Sequence, residues 1–239
     1  LNEQLGHLCD EQGVSYGLRL FFGVYLVTDK EMPVSAMMER ANLALKKTLQ
    51  LPQHLKKIGV YDEKEHQKLE REKHLEMRME QALKNGEFVP YLQPKYELTH
   101  ETIAGAEALV RWVSPEEGMI FPGEFIPLFE KNGFIVELDL YMFEQVCKMI
   151  ESWHKNGYRI IPVSVNMSRG HFLVPNFFDR YKEILERYDV PKGSIEIELT
   201  ESLFLNEIST MTDLVNKIHE VGLRCSIDDF GSGYSSLNM

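Results

Sequence analysis

Five oxygen-bearing side chains sit where a chain of alternating strands and helices carries its chemistry. Glu107 lies late in the run Ala106-Glu107-Ala108-Leu109, and Asn166 directly follows Val163-Ser164-Val165. Glu198 lies near the end of Ile195-Glu196-Ile197-Glu198-Leu199. Asp228 and Asp229 follow Cys225-Ser226-Ile227 and enter the glycine-rich turn Phe230-Gly231-Ser232-Gly233. The steps between Glu107, Asn166, Glu198 and Asp228 are 59, 32 and 30 residues. The last two match one strand-helix unit each, and the first a longer unit with two helices. Successive strands of a (β/α) barrel would bring all five to one mouth, the C-terminal face where such folds place reactive groups. Four carboxylates and an amide with no obvious Lys or Arg partner do not stay ionised together without compensation. An all-oxygen set without His or Cys points to divalent cations, Mg²⁺ or Mn²⁺.

Each residue alone has a plainer reading. Glu107 can pair with Arg111 four positions on, and Asn166 can form a turn. One of Glu196 and Glu198 is expected to face solvent, and Asp228-Asp229 before glycines can be turn chemistry. The joint recurrence favours convergence. Other constellations are weaker. The eight histidines show no His-Glu-x-x-His and no paired zinc spacing, which leaves them surface or packing roles. Ser164 and Ser168 flank Asn166 without a nucleophile elbow. Met37, Met38, Met77 and Met79 stand at helical spacing and read as packing.

The elements that must position these groups alternate. Strand-like runs are Phe88–Leu92, Ile103–Val110, Ile160–Val165, Ile195–Leu199 and Leu223–Ile227. Helical patterns between them are Pro122–Lys131, Leu138–Asn156, Phe177–Tyr188 and Ser209–Val221. This order predicts a parallel sheet with crossover helices. With no reversal signal and no Gly-x-Gly-x-x-Gly after the first strand, part of a (β/α) barrel fits better than a dinucleotide-binding fold. Upstream, Gly17–Val27 reads as a strand, a helix follows Pro33, and Ile58–Tyr61 is a short edge strand. A polar helix from Asp62 to Asn85, with Asp62 as cap and Asn85-Gly86 as stop, reads as a bridge between domains.

Composition narrows the class. The chain has 239 residues, 44% hydrophobic and 26% charged, the profile of a soluble globular protein. Its net charge of -11 is uneven: 13 basic against 14 acidic residues up to position 87, then 13 against 23. That balance argues against binding DNA or RNA, which takes a basic face. No apolar run approaches the ~18–20 residues of a membrane span, and Leu1-Asn2-Glu3-Gln4 shows no signal peptide. Cys9, Cys147 and Cys225 are far apart and odd in number, as expected of reduced thiols in a cytoplasmic protein.

The residues also carry a resemblance. Gly105-Ala106-Glu107-Ala108-Leu109-Val110-Arg111-Trp112 resembles the signature of EAL domains, the cyclic-di-GMP phosphodiesterases. The match runs on through Tyr91-Leu92-Gln93-Pro94, Phe121-Pro122-Gly123-Glu124-Phe125-Ile126-Pro127 and Val165-Asn166-Met167-Ser168. It continues in Glu198-Leu199-Thr200-Glu201-Ser202 and Asp228-Asp229-Phe230-Gly231-Ser232-Gly233-Tyr234-Ser235-Ser236-Leu237. The resemblance implies an α/β fold, a (β/α)₈ TIM-type barrel that hydrolyses cyclic di-GMP to linear pGpG with two Mg²⁺ or Mn²⁺ ions. It makes Glu107, Asn166, Glu198, Asp228 and Asp229 metal ligands, with Glu107, Glu201 and Asp228 at the catalytic centre. Gln93, Leu109 and Arg111 would contact substrate, Arg111 by a charge-assisted bond to phosphate. Glu201 would hold the Asp-Phe-Gly-Ser-Gly loop. A homodimer is the expected assembly, cyclic di-GMP the expected partner.

The stretch from Tyr16 to Tyr61 more weakly resembles the C-terminal part of a GGDEF domain. The Gly-Gly-Asp-Glu-Phe motif is not in the chain. Where that family has Ala-Asp-x-Ala-Leu-Tyr-x-Ala-Lys, this chain has Ala41-Asn42-Leu43-Ala44-Leu45-Lys46-Lys47-Thr48-Leu49, so no cyclase activity is expected. The expected organisation is a degenerate GGDEF-like region over 1–61, a linker helix over 62–86 and an EAL domain over 87–239. About five of eight strand-helix units are accounted for, so the chain is expected to be part of a longer GGDEF–EAL protein. The lysine, glutamate and glutamine that the family carries in its remaining units cannot be assigned. Two other readings are a non-catalytic cyclic-di-GMP receptor or scaffold, and an unrelated Mg²⁺ barrel enzyme acting on sugar phosphates.

Overall fold

Pairs of glycines and alternating side chains decide how the elements meet. The computed structural model describes residues 20–50, 57–99, 101–200 and 208–228. It divides into two compact units, one through Arg71 and one from Glu72. In the first, β1 (Phe22–Val24) and β2 (Ile58–Val60) pair in parallel through the helix α1 (Val34–Gln50), with Gly23 opposite Gly59. A Cβ at Gly23 would stand 2.0 Å from the Ala41 carbonyl, and one at Gly59 2.0 Å from Thr48 Oγ1. Only glycine lets this ribbon lie so close beneath α1. The expected strand Gly17–Val27 is thus shorter, and its residues 17–19 lie outside the described ones.

The polar helix forms as α2 (Glu63–Asn85). Asp62 Oδ1 caps it by accepting the Lys64 N–H at 2.9 Å, and Gly86 ends it in the left-handed region at φ 74°. The division between the two units falls inside this helix.

The second unit opens with β3 (Phe88–Glu97), β4 (Thr102–Ser114) and β5 (Gly118–Ile120), then α3 (Pro122–Asn132) and α4 (Ile135–Lys155). It continues as β6 (Val163–Met167), a 3₁₀ turn (Arg169–Leu173), α5 (Phe177–Leu185), β7 (Ile195–Thr200), α6 (Ile208–Glu220) and β8 (Arg224–Asp228). The strand order is β3-β4-β6-β7-β8, with β5 paired to β4. Strands β4, β6, β7 and β8 are parallel, as expected. The expectation of a sheet without reversal is corrected at its start, because β3 runs antiparallel to β4. Residues 98–101 alone link the two strands, and so short a link cannot make a parallel crossover.

Period-two alternation gives the sheet one apolar and one polar face. Ala108, Val163, Val165, Met167, Ile195, Ile197 and Leu199 are buried against Phe143, Val146, Cys147 and Ile150 of α4, with Phe178, Tyr181 and Ile184 of α5 in the same core. Each fully buried side chain of this kind contributes about 1.5–3 kcal/mol. Burial also pushes the Cys147 thiol up to about 12, and Cys147 and Cys225 are both free. A second core gathers Phe88, Trp112, Phe125 and Phe129, where Trp112 Nε1–H donates to Glu87 Oε2 at 2.9 Å.

Candidate active site

The polar face of the sheet carries the side chains singled out in the sequence. Gln93 on β3 is opposite Glu107 on β4, Glu107 is opposite Ser164 on β6, and Asn166 is opposite Glu198 on β7. Asp228 closes β8 opposite Thr200. Asn166 Nδ2 donates to Glu107 Oε1 at 3.1 Å. Burial pushes the Glu107 carboxyl above the usual carboxylate range. The charges of Glu198 and Asp228 push it further up, against the Asn166 hydrogen bond and the Lys95 ammonium. Four of the five expected ligands therefore share one electrostatic environment. Asp229 and Glu201 lie outside the described residues.

Three expectations change. Glu107 is bonded to Asn166 rather than paired with Arg111, whose Nη1 donates to the Val110 carbonyl at 2.8 Å and whose guanidinium lies over the Tyr91 ring. Glu196 and Glu198 are two apart in a strand, so neither is turned away to the other face. Glu198 is buried, and Glu196 accepts from Ser226 Oγ at 2.7 Å. The carboxylates are also not without a cation: the Lys95 ammonium bonds Glu198 Oε1. Lys95 lies beyond the expected strand Phe88–Leu92, on the part of β3 that continues to Glu97. Its signal was its place two residues from Gln93 on the same strand face.

The ladder between β4 and β6 covers only two residue pairs, Ala106 with Val163 and Glu107 with Ser164. Beyond it a cavity of about 260 Å³ is lined by Leu109, Arg111, Ile126, Met142 and Asn166 among others. Leu109 and Arg111 thus come to the same opening as Asn166, while Gln93 stays exposed on the neighbouring strand. The turn after Asn166 is held from below. Asp139 on α4 accepts the Ser168 N–H at 2.8 Å, and His171 Nε2 lies 3.1 Å from both Asp139 Oδ2 and the Tyr181 hydroxyl. All three side chains are buried, and sequence reading gave His171 only a generic packing role.

The donor chemistry suits a hard divalent cation, since every candidate ligand offers oxygen. Glu198 Oε2 is buried with no hydrogen-bond partner among the described residues, an open acceptor oxygen of the kind a cation satisfies. Among the described residues no three of His, Cys, Asp and Glu already stand close enough to form a complete coordination set.

Comparison with known proteins places the chain. The model of the EAL domain family matches residues 76–239, so the chain belongs to the EAL domain family. Signaling protein YkoW of Bacillus subtilis is 34% identical over 163 residues, which make up 68% of this chain and 20% of that protein. The bifunctional diguanylate cyclase/cyclic di-GMP phosphodiesterase MucR of Pseudomonas aeruginosa is 33% identical over 159 residues, 66% of this chain and 23% of that protein. The chain therefore spans only a fifth to a quarter of these relatives. Among solved structures, a MucR phosphodiesterase in complex with c-di-GMP superposes with TM-score 0.63 at 32% identity, covering 68% of this chain and 66% of that one. No helix among the described residues is long and apolar enough to cross a membrane.

Proposed function

We propose that this chain carries the metal-binding half of a cyclic di-GMP phosphodiesterase centre. The observation that supports it most is the joint environment of Glu107. This carboxylate is hydrogen-bonded to Asn166 and raised by burial first and then by the charges of Glu198 and Asp228, in a family member whose relative MucR is named for that activity.

In this reading Glu107, Asn166, Glu198, Asp228 and Asp229 hold two Mg²⁺ or Mn²⁺ ions. Such ions, when bound, polarise a phosphoryl oxygen and lower the pKa of water. Arg111 and Gln93 bind and orient the dinucleotide, Arg111 through N–H groups left over from its bond to Val110. Leu109 supplies apolar contact at the opening. Glu201 orders the loop that follows Asp229. Water adds to one phosphorus as the bond to a ribose O3′ breaks; the leaving oxygen takes up a proton, and linear pGpG carries the new 5′-phosphate.

The same reading extends to the rest of the protein. The sheet is part of a (β/α)₈ barrel, 87–239 is an EAL domain, and 62–86 is a linker helix. Region 1–61 is a degenerate GGDEF remnant without cyclase activity, and the whole acts in the cytoplasm as a homodimer in second-messenger signalling. The test is chromatography of cyclic di-GMP incubated with the chain and Mn²⁺, beside a chelator control and Glu107→Ala. Formation of pGpG that both controls abolish supports the reading. Binding of cyclic di-GMP without product would instead favour a receptor.

A further inference from the structure

Lys95 stands two residues beyond Gln93 on β3 and shares its face of the sheet. Its ammonium bonds Glu198 Oε1 and lies 3.9 Å from Glu196 Oε1. The Glu198 side chain is only 7% exposed, and its other oxygen, Oε2, is buried with no hydrogen-bond partner among the described residues. Removing one partner of so buried an ion pair is strongly destabilising, so Glu198 needs a cation beside it. The oxygen that Lys95 occupies therefore belongs to the same carboxylate that a divalent cation would need.

Resting on the metal-binding reading above, we propose that Lys95 is the resident counter-ion of this site. In the metal-free chain it neutralises Glu198, and a divalent cation that takes Glu198 as a ligand displaces its ammonium towards Glu196 and water. Lysine suits the task. Its charge is compact and its four-carbon stem flexible, and its side chain is 42% exposed, so the released ammonium has solvent to enter. Glu196 is the second carboxylate within its reach, held by Ser226. Lys95 is thus a positioning residue with two opposed effects. It keeps the empty site folded, and it lowers the affinity for metal.

Those effects separate it from a lysine that only props the strand. The 239-residue chain, stripped with a chelator, is titrated with Mn²⁺ and the free ion read by electron paramagnetic resonance. The same is done for Lys95→Met, Lys95→Gln and Lys95→Arg, with thermal unfolding followed in parallel with and without Mn²⁺. Lys95→Met is expected to bind Mn²⁺ about tenfold more tightly, to melt below the parent without metal, and to gain more from saturating Mn²⁺. Lys95→Arg, which keeps the charge, is expected to bind no more tightly than the parent. Should Lys95→Met not fold without metal, Lys95→Gln, which keeps a neutral donor for Glu198, carries the same expectation for affinity. Neutral variants that bind Mn²⁺ no more tightly than a parent that does bind it would overturn the proposal alone. Absence of Mn²⁺ binding in every variant would defeat the metal reading itself.

Discussion

Lys95 and Glu198 touch although two strands, β4 and β6, lie between the strands that carry them. On a flat sheet three strand spacings would hold β3 and β7 about 14 Å apart, more than these two side chains bridge. The sheet therefore curls around its polar face. That curvature makes a cluster of what would otherwise be a row of separate positions. It lets the charges of Glu198 and Asp228, on β7 and β8, reach Glu107 on β4.

The aromatic core beneath the β3–β4 hairpin carries much of the second unit. Trp112 is fully buried, 4.9 Å between ring centroids from Phe88 and 5.8 Å from Phe125. Trp112→Ala is expected to cost about 3–5 kcal/mol. Trp112→Phe keeps a ring but takes the indole donor from Glu87 Oε2, and is expected to cost about 1–3 kcal/mol. Urea unfolding, with midpoints compared at constant slope, checks both.

What could be read from the sequence follows from which signals are local. Asp62 and Gly86 bound α2 by capping chemistry that needs nothing beyond neighbouring residues, and the alternation in Ile195–Leu199 predicts β7, which runs one residue further to Thr200. The direction of β3 was harder to see. The expected strand Phe88–Leu92 runs on through Pro94 to Glu97; β3 pairs with β4 alone among the described strands, and an edge tolerates proline's missing N–H. With β3 read as ending at Leu92, the four-residue link that forces an antiparallel pair was hidden, and Lys95 with it. The Asp139–His171–Tyr181 contact joins α4, the 3₁₀ turn and α5, and no short-range spacing announces it.

That contact should be visible in stability. Asp139→Ala removes the acceptor of the half-buried Ser168 N–H and the partner of the buried His171. A loss of about 1–3 kcal/mol is expected, with Asp139→Asn, which keeps an acceptor oxygen, losing less. Chemical denaturation of the two variants gives the comparison; equal losses would show that the acceptor at Ser168 contributes nothing.

A pH dependence follows from Glu137 and Arg180. The two form a bidentate pair at 2.7 and 2.8 Å between α4 and α5. The hydrogen bonds from Arg180 hold the Glu137 carboxyl below its usual range. A lowered carboxylate adds stability above its unfolded value of about 4.3, and that stability is lost as pH falls through the lower folded value. Both side chains are nearly half exposed, so Arg180→Ala should cost less than about 1 kcal/mol at pH 7. The gap between variant and parent should close on acidification towards pH 3, which melting curves across that range would reveal. A gap that widens in acid would contradict the pairing.

The central claim is that Glu198, not merely any carboxylate on this face, belongs to a phosphodiesterase centre. Its most direct test is the rate of pGpG formation from cyclic di-GMP with saturating Mn²⁺, compared among the parent chain, Glu198→Ala and Glu196→Ala. The expected result is turnover by the parent, a fall of about 100-fold or more in Glu198→Ala, and a smaller loss in Glu196→Ala. Equal losses in the two variants, or full activity in Glu198→Ala, would contradict the assignment.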